Sequence, residues 1–302
     1  MRAFILLRSN IFEPAEGVAR NRVRARGRLP PANGDFNMVR SLWTAATGMN
    51  GQQSNIDAIS NNLSNVNTTG YKQQRVEFED LVYQNLKLAG TPATEDTVTP
   101  VGIQQGTGVK VGATQRIMNQ GSLQNTGVDT DVAIVGEGFF RVQEYDGSYA
   151  YTRDGSFKVD SNGQLVTSGG LRVMPEIILP EGYDVSTLNI TQTGLVSVKV
   201  NGGNDPVEVG QIELYRFPNP VGLQADGDNF YKVTAASGEA IAGRPGYNGF
   251  GDTRHKFLEM SNVSVVNEMV QMIVAQRAYE FNSKAVQTSD TMLQTAVNLK
   301  RA

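Results

Sequence analysis

Apolar residues recur at helical spacing at both ends of this chain, and between the ends they alternate or cluster in short runs. From Asp252 to Ala302 there is neither glycine nor proline. Along that segment Met272, Tyr279, Val286, Leu293 and Val297 form one row, and Val274, Ala278, Phe281, Ala285, Met292, Ala296 and Leu299 form a second. At about 100° per residue the two rows cover roughly half of a helix circumference, more than a single neighbour buries. Near the other end, Ala45, Met49, Gln52, Ile56, Ile59, Leu63 and Val66 alternate steps of four and three, a coiled-coil-like seam interrupted by one glutamine. A helix is therefore expected from Val39 to about Val66, stopped by the turn-forming run Asn65–Gly70. Gly48 and Gly51 lie inside it, where each glycine costs about 1 kcal/mol relative to alanine. Close approach of another helix is one reason to keep them, and simple tolerance is the other.

The interior reads differently. Residues 71–90 suggest an extended or partly helical connector, and the polar, broken stretch 91–108 an exposed loop. From 109 to about 250, alternation in Val196, Val198, Val200 and in Val207, Val209, with Ile212, Leu214 and the runs Val132–Val135 and Phe139–Val142, predicts strands. Asp146-Gly147, Asn162-Gly163 and Asn201-Gly202-Gly203 sit between such runs as hairpin turns. No helix-length pattern interrupts them, which excludes the βαβ series of a parallel nucleotide-binding sheet. The final helix is expected to start near Ser264, with Glu268 in its first turn opposing the dipole. The fold class that follows is α+β: a discontinuous, coiled-coil-like helical domain from paired terminal helices (38–70 and 252–302), a connector and loop (71–108), and a central all-β domain (109–251).

Composition narrows the chemistry. The chain has 302 residues, 39% of them hydrophobic, enough for one large or two smaller cores. Eight of its 11 prolines fall between Pro92 and Pro245, in keeping with a turn-rich middle. No apolar run is long enough to span a membrane, and the absence of cysteine removes disulfides and thiolate sites together. Residues 1–37 hold seven arginines against Glu13, Glu16 and Asp35, a net of +4 that leaves −7 for the rest. Arg20 to Arg28 have the charge of a nucleic-acid arm but no aromatic platform, so residues 1–37 read as a disordered basic leader or an extension from an upstream start, and no nucleic-acid partner is expected. His255, the single histidine, is flanked by Arg254 and Lys256 and reads as a solvated linker residue. Gly106-Thr107-Gly108 lacks phosphate-loop spacing, and the pairs Asp129/Asp131, Asp160/Asn162 and Asp226/Asp228 start like calcium loops without completing them. No catalytic residue, metal ligand or cofactor site is singled out.

Three separated segments resemble a known family. Ser60–Lys72, SNNLSNVNTTGYK, is similar to a signature of the rod and hook proteins of the bacterial flagellum, carried here by Asn61, Asn62, Leu63, Asn65, Thr69, Gly70 and Tyr71. The last segment resembles that family's terminal helix through Gln276, Arg277, Ala278, Tyr279 and Asn282, and Gln120-Gly121 with Asp131–Phe140 (DVAIVGEGFF) resembles its central domain. The resemblance spans 38–302. The start Ser41–Met49 and the 265 residues from Met38 onward are most like the distal rod members of the family, since hook proteins are longer and the small proximal rod proteins largely lack the central domain.

The resemblance implies a structural subunit, not an enzyme. Such proteins are exported through the flagellar type III apparatus without a cleaved signal peptide and polymerise helically into a torque-transmitting shaft across the periplasm. Neighbouring rod and hook proteins and the surrounding rings of the basal body are then the partners. The residues expected to carry self-assembly are Ala45, Met49, Ile56, Ile59, Leu63 and Val66 on the first helix, with Met272, Tyr279, Phe281, Val286, Met292 and Leu293 on the last. A cell-wall hydrolase would instead need a cleft carboxylate essential for turnover. A β-rich binding module would persist as a ligand-binding monomer with both ends trimmed.

Overall fold

The structure, a computed structural model, describes residues 33–90, 92–94, 97–98, 100–183, 185–200 and 205–301. Helix α1 runs Asn33–Ser64 and helix α2 runs Val265–Arg301. α1 thus begins ahead of Met38 and takes in residues 33–37 of the expected leader, while 1–32 lie outside the described residues. The two helices pack antiparallel: Ser41 meets Ser289 near one end and Asn62 meets Glu268 near the other.

The stretch expected as connector and loop is a β arm. Gln74–Asp80 pairs antiparallel with Val109–Arg116, Gln84–Lys87 with Ile103–Gln105, and Pro92–Thr94 with Thr97–Val98. The boundary expected at 109 therefore cuts through a paired ladder. Both glycines within α1 mark close approaches. A β-carbon at Gly48 would lie 2.8 Å from Nδ2 of Asn282 on α2, and one at Gly51 would lie 3.1 Å from the Phe78 ring of the arm.

The remaining chain builds the β domain. Its largest sheet has seven strands in the order Lys158–Val159, Leu165–Val166, Arg172–Met174, Phe140–Gln143, Tyr149–Thr152, Phe230–Lys232 and Gln224–Gly227. Asp146-Gly147 and Asn162-Gly163 turn two of its hairpins. Asn201–Gly203 lies outside the described residues, but the strands on either side, Leu195–Val198 and Val207–Gln211, pair as a hairpin would. Among the described residues no α-helix lies between α1 and α2. Val132, Ile134, Phe140, Val142, Phe157 and Leu165 form the centre of the apolar core. Beside it Phe139, Tyr151, Tyr215, Phe217 and Tyr231 pack edge to face, with Tyr151 and Phe217 at 4.9 Å and 90°.

Two expectations about the last segment are corrected. Asp252–His255 and Phe257–Glu259 are strands, paired with Val132–Val135 and Leu123–Asn125, so only the chain from Val265 is helical. His255 is part of that ladder, half-buried, and its Nε2–H donates to the Asp129 carbonyl at 2.6 Å; it is not a solvated linker residue.

Burial holds the hydroxyls of Tyr71, Tyr151, Tyr215 and Tyr231 above their ordinary ionisation range near 10.0. Because the folded values exceed the unfolded one, these groups add stability below about pH 10 that is lost as pH rises through the folded values. Ultraviolet titration of the chain's ten tyrosines should show exposed rings ionising first and these four ionising late, together with cooperative loss of β structure.

Candidate assembly site

The seam residues divide once placed in space. Along α1, Ala45 and Ile59 are buried and Met49, Ile56 and Leu63 half-buried; Val66, expected on the helix, is half-buried in the turn that follows it. On α2, Met272, Val286 and Leu293 are half-buried, whereas Tyr279, Phe281 and Met292 face outward. The pair in this subunit thus covers only part of the apolar surface of α2. Exposed on the same helix are Val266, Met269, Val270, Ile273 and Val274.

Where the helices meet the β domain, apolar packing gives way to buried polar contacts. Asn62 is 1% exposed and acts as a hub: its amide nitrogen donates to the Gln74 carbonyl at 2.8 Å and to Glu268 at 3.1 Å, and its oxygen accepts from Gln74 N–H and Tyr71 O–H. Gln73 supplies a second amide donor to the fully buried Glu268. Asn65 donates to the Asn61 carbonyl at the end of α1 twice, from its backbone N–H at 3.1 Å and from its side-chain amide at 3.0 Å. The carbonyl of Thr69 accepts from Asn229 in the β domain. Gly70 has φ +68, and a β-carbon there would lie 2.6 Å from the Asp154 nitrogen, so both its conformation and its space require glycine.

Just beyond lies the tightest cluster. Glu259 is buried, and its Oε1 accepts from Lys72 Nζ at 2.6 Å and from Gly121 N–H at 2.9 Å; its Oε2 accepts from Arg153 at 3.1 Å. Lys72 also donates to the Asn119 carbonyl and Arg153 to the Gly136 carbonyl. Burial pulls the Lys72 ammonium below its usual range, and the Glu259 carboxylate opposes that shift. Arg116 sits between the rings of Tyr71 and Tyr231, 5.7 and 5.8 Å from their centroids, and donates to the Lys72 carbonyl. Gln73 N–H and Asn262 complete the closure at 2.7 Å. Four segments far apart in sequence, around Lys72, Gly121, Arg153 and Glu259, are thereby tied at one point.

Elsewhere the polar residues read as local structure. Asp129 pairs with Lys256, Asp131 accepts from Thr126, Asp160 orders its own turn, and Asp226 pairs with Lys232. Among the described residues no cluster of His, Cys, Asp and Glu is placed to hold a metal. Gln276 and Arg277 are exposed, Arg277 pairing only with Glu280, while half-buried Ala278 and Asn282 lie toward α1. The resemblance included Lys72 in its first segment, but the roles of Gln73, Arg153, Glu259 and Asn262 carried no signal in the sequence.

Three family models match in chain order: "Flagella basal body rod protein" at 42–72, "Flagellar hook protein FlgE/F/G D1 domain" at 133–198, and "Flagellar basal body rod FlgEFG protein C-terminal" at 254–299. The flagellar basal-body rod protein FlgG of Borreliella burgdorferi is 60% identical over 264 residues, 87% of this chain and 100% of that protein. This chain belongs to the flagellar basal-body rod protein family. FlgG proteins of Buchnera aphidicola from Acyrthosiphon pisum (50% identity; 85% of this chain, 98% of that protein) and of Bacillus subtilis (41%; 87% and 100%) are similar along the same span. As a rod protein it is a structural component of the flagellar basal body.

Replacing Glu259 with glutamine leaves Lys72 and Arg153 buried without their counter-charge. The expected cost is about 3–5 kcal/mol in denaturant unfolding. The exposed pair is the control: Arg277→Ala should change stability by less than about 1 kcal/mol.

Proposed function

We propose that this subunit polymerises helically with copies of itself into the distal part of the rod, the drive shaft that carries torque to hook and filament. The observation that carries the reading is the uncovered apolar surface of α2. Val266 is 71% exposed, Ile273 58%, Phe281 67% and Leu299 75%. Fully burying one such side chain is worth about 1.5–3 kcal/mol, so a stripe of them supplies a strong drive to associate. A stripe on one face that meets a different face of the next copy gives a heterologous contact, and heterologous contacts that do not close make filaments.

In this reading the coiled-coil-like seam of Ala45, Met49, Ile56, Ile59, Leu63 and Val66 with Met272, Val286 and Leu293 holds the subunit together, and Tyr279, Phe281 and Met292 join copies. The end helices lie inward and the β domain faces the rings of the basal body. Neighbouring rod and hook proteins take the same contacts at the two ends of the polymer. In this reading the chain reaches the rod through the flagellar type III export apparatus without a cleaved signal peptide. Close packing of helices around an axis resists twist because protein interiors compress little.

Ile273→Asp and Phe281→Asp should leave the stability of the isolated chain within about 0.5 kcal/mol, since both side chains face solvent there. In cells they should abolish rod assembly and swimming. Ile56→Asp should instead lower the stability of the subunit itself. Full-length rods and normal swimming with both α2 substitutions, at normal protein level, would sink the polymer reading.

A further inference from the structure

The polar contacts between α1 and α2 fall in a single heptad phase. Ser41 Oγ lies 3.1 Å from Ser289 Oγ; seven residues along each helix Gly48 faces Asn282; fourteen further on, Asn62 donates to Glu268. The layer skipped between them puts Asn55 on α1 and the buried Ala275 on α2. One whole row of the helix pair, on α1 one position before the apolar seam residues Met49, Ile56 and Leu63, is therefore polar or small.

A polar row weakens an interface but penalises every register except its own. A displacement of one heptad preserves the rough apolar pattern and is the nearest competing arrangement. It would set Asn282 against Ser41 or Asn55, each of which has a β-carbon where Gly48 has none. Either direction also carries Glu268 away from Asn62, stripping that donor from a buried carboxylate. Asn282 fits at Gly48: a β-carbon there would lie 2.8 Å from its Nδ2 and 3.3 Å from its Cγ.

We propose that this row, centred on Gly48 and Asn282, locks the register of the end-helix pair and so fixes the height at which the apolar stripe of α2 meets neighbouring copies. The second part rests on the polymer reading above. The chain lacks cysteine, so introduced pairs report register without background. In basal bodies isolated from cells expressing the full chain, Ser41→Cys/Ser289→Cys reads the native register. Ala45→Cys/Ala278→Cys and Ala45→Cys/Met292→Cys read displacement by one heptad in either direction. Each pair is combined with Gly48→Leu, which fills the gap, and with Asn282→Ala, which removes the side chain that enters it. The expected result is loss of most native cross-link in both backgrounds, appearance of a displaced one, and shortened rods. Full native cross-linking with no displaced product in both backgrounds would overturn the register lock. A displaced register with rods of normal length would overturn its link to assembly, whatever the outcome of the α2 surface substitutions.

Discussion

A single buried carboxylate holds the architecture in place. Glu259 lies between Lys72, which follows the first helix, and Arg153, just past a central strand, and it sits six residues before Val265, where the last helix starts. An ion in that position is costly to desolvate, and its pairing repays the cost only when geometry and further hydrogen bonds are good. Here Gly121 N–H fills the remaining acceptor site, and the carbonyls of Asn119 and Gly136 satisfy the cations. Such a cluster adds little stability over apolar packing, yet removing one member is severe. It acts as a constraint on geometry more than as a source of binding energy.

That constraint propagates to the helices. With residues 70–73 and 259–262 tied together, α1 leaves and α2 enters the junction side by side, which favours their antiparallel pairing. Asn62, Gln73 and Glu268 extend the tie into the first turn of α2. Further along, small and polar side chains let the helices approach closely, at the expense of apolar contact. The large apolar residues of α2 are left on the outside of the subunit, the surface that the proposed polymer covers with another copy. Rigid junction, close helix pair and uncovered stripe thus form one chain of cause, and a rod protein needs all three to carry torque from subunit to subunit.

Much of this was legible in the residues themselves. Asp146-Gly147 and Asn162-Gly163 marked true hairpins because their glycines adopt positive φ, +85 and +76, in two-strand turns. Gly48 and Gly51 marked close approaches, and Ser264 preceded the last helix as expected. The arm at 74–116 escaped notice because it is exposed over most of its length, which removes the alternation that reveals a half-buried strand. Strands Asp252–His255 and Phe257–Glu259 were read as helix-side sequence because they contain no glycine or proline to separate them from α2. The ion cluster had no local pattern at all: Lys72 and Glu259 stand 187 residues apart. Family resemblance supplied Asn62, Gly70 and Tyr71, but only the structure shows that Asn62 turns inward onto Gln74 and Glu268.

The account stands or falls on what covers α2 in the assembled organelle. A density map of the rod at side-chain resolution, from basal bodies built with this subunit, decides it. The account predicts Val266, Ile273 and Phe281 buried against helices of other copies, with Glu259 seated between Lys72 and Arg153 in every subunit. A map in which that stripe faces water, or in which α1 and α2 of one subunit part at the junction, would contradict it.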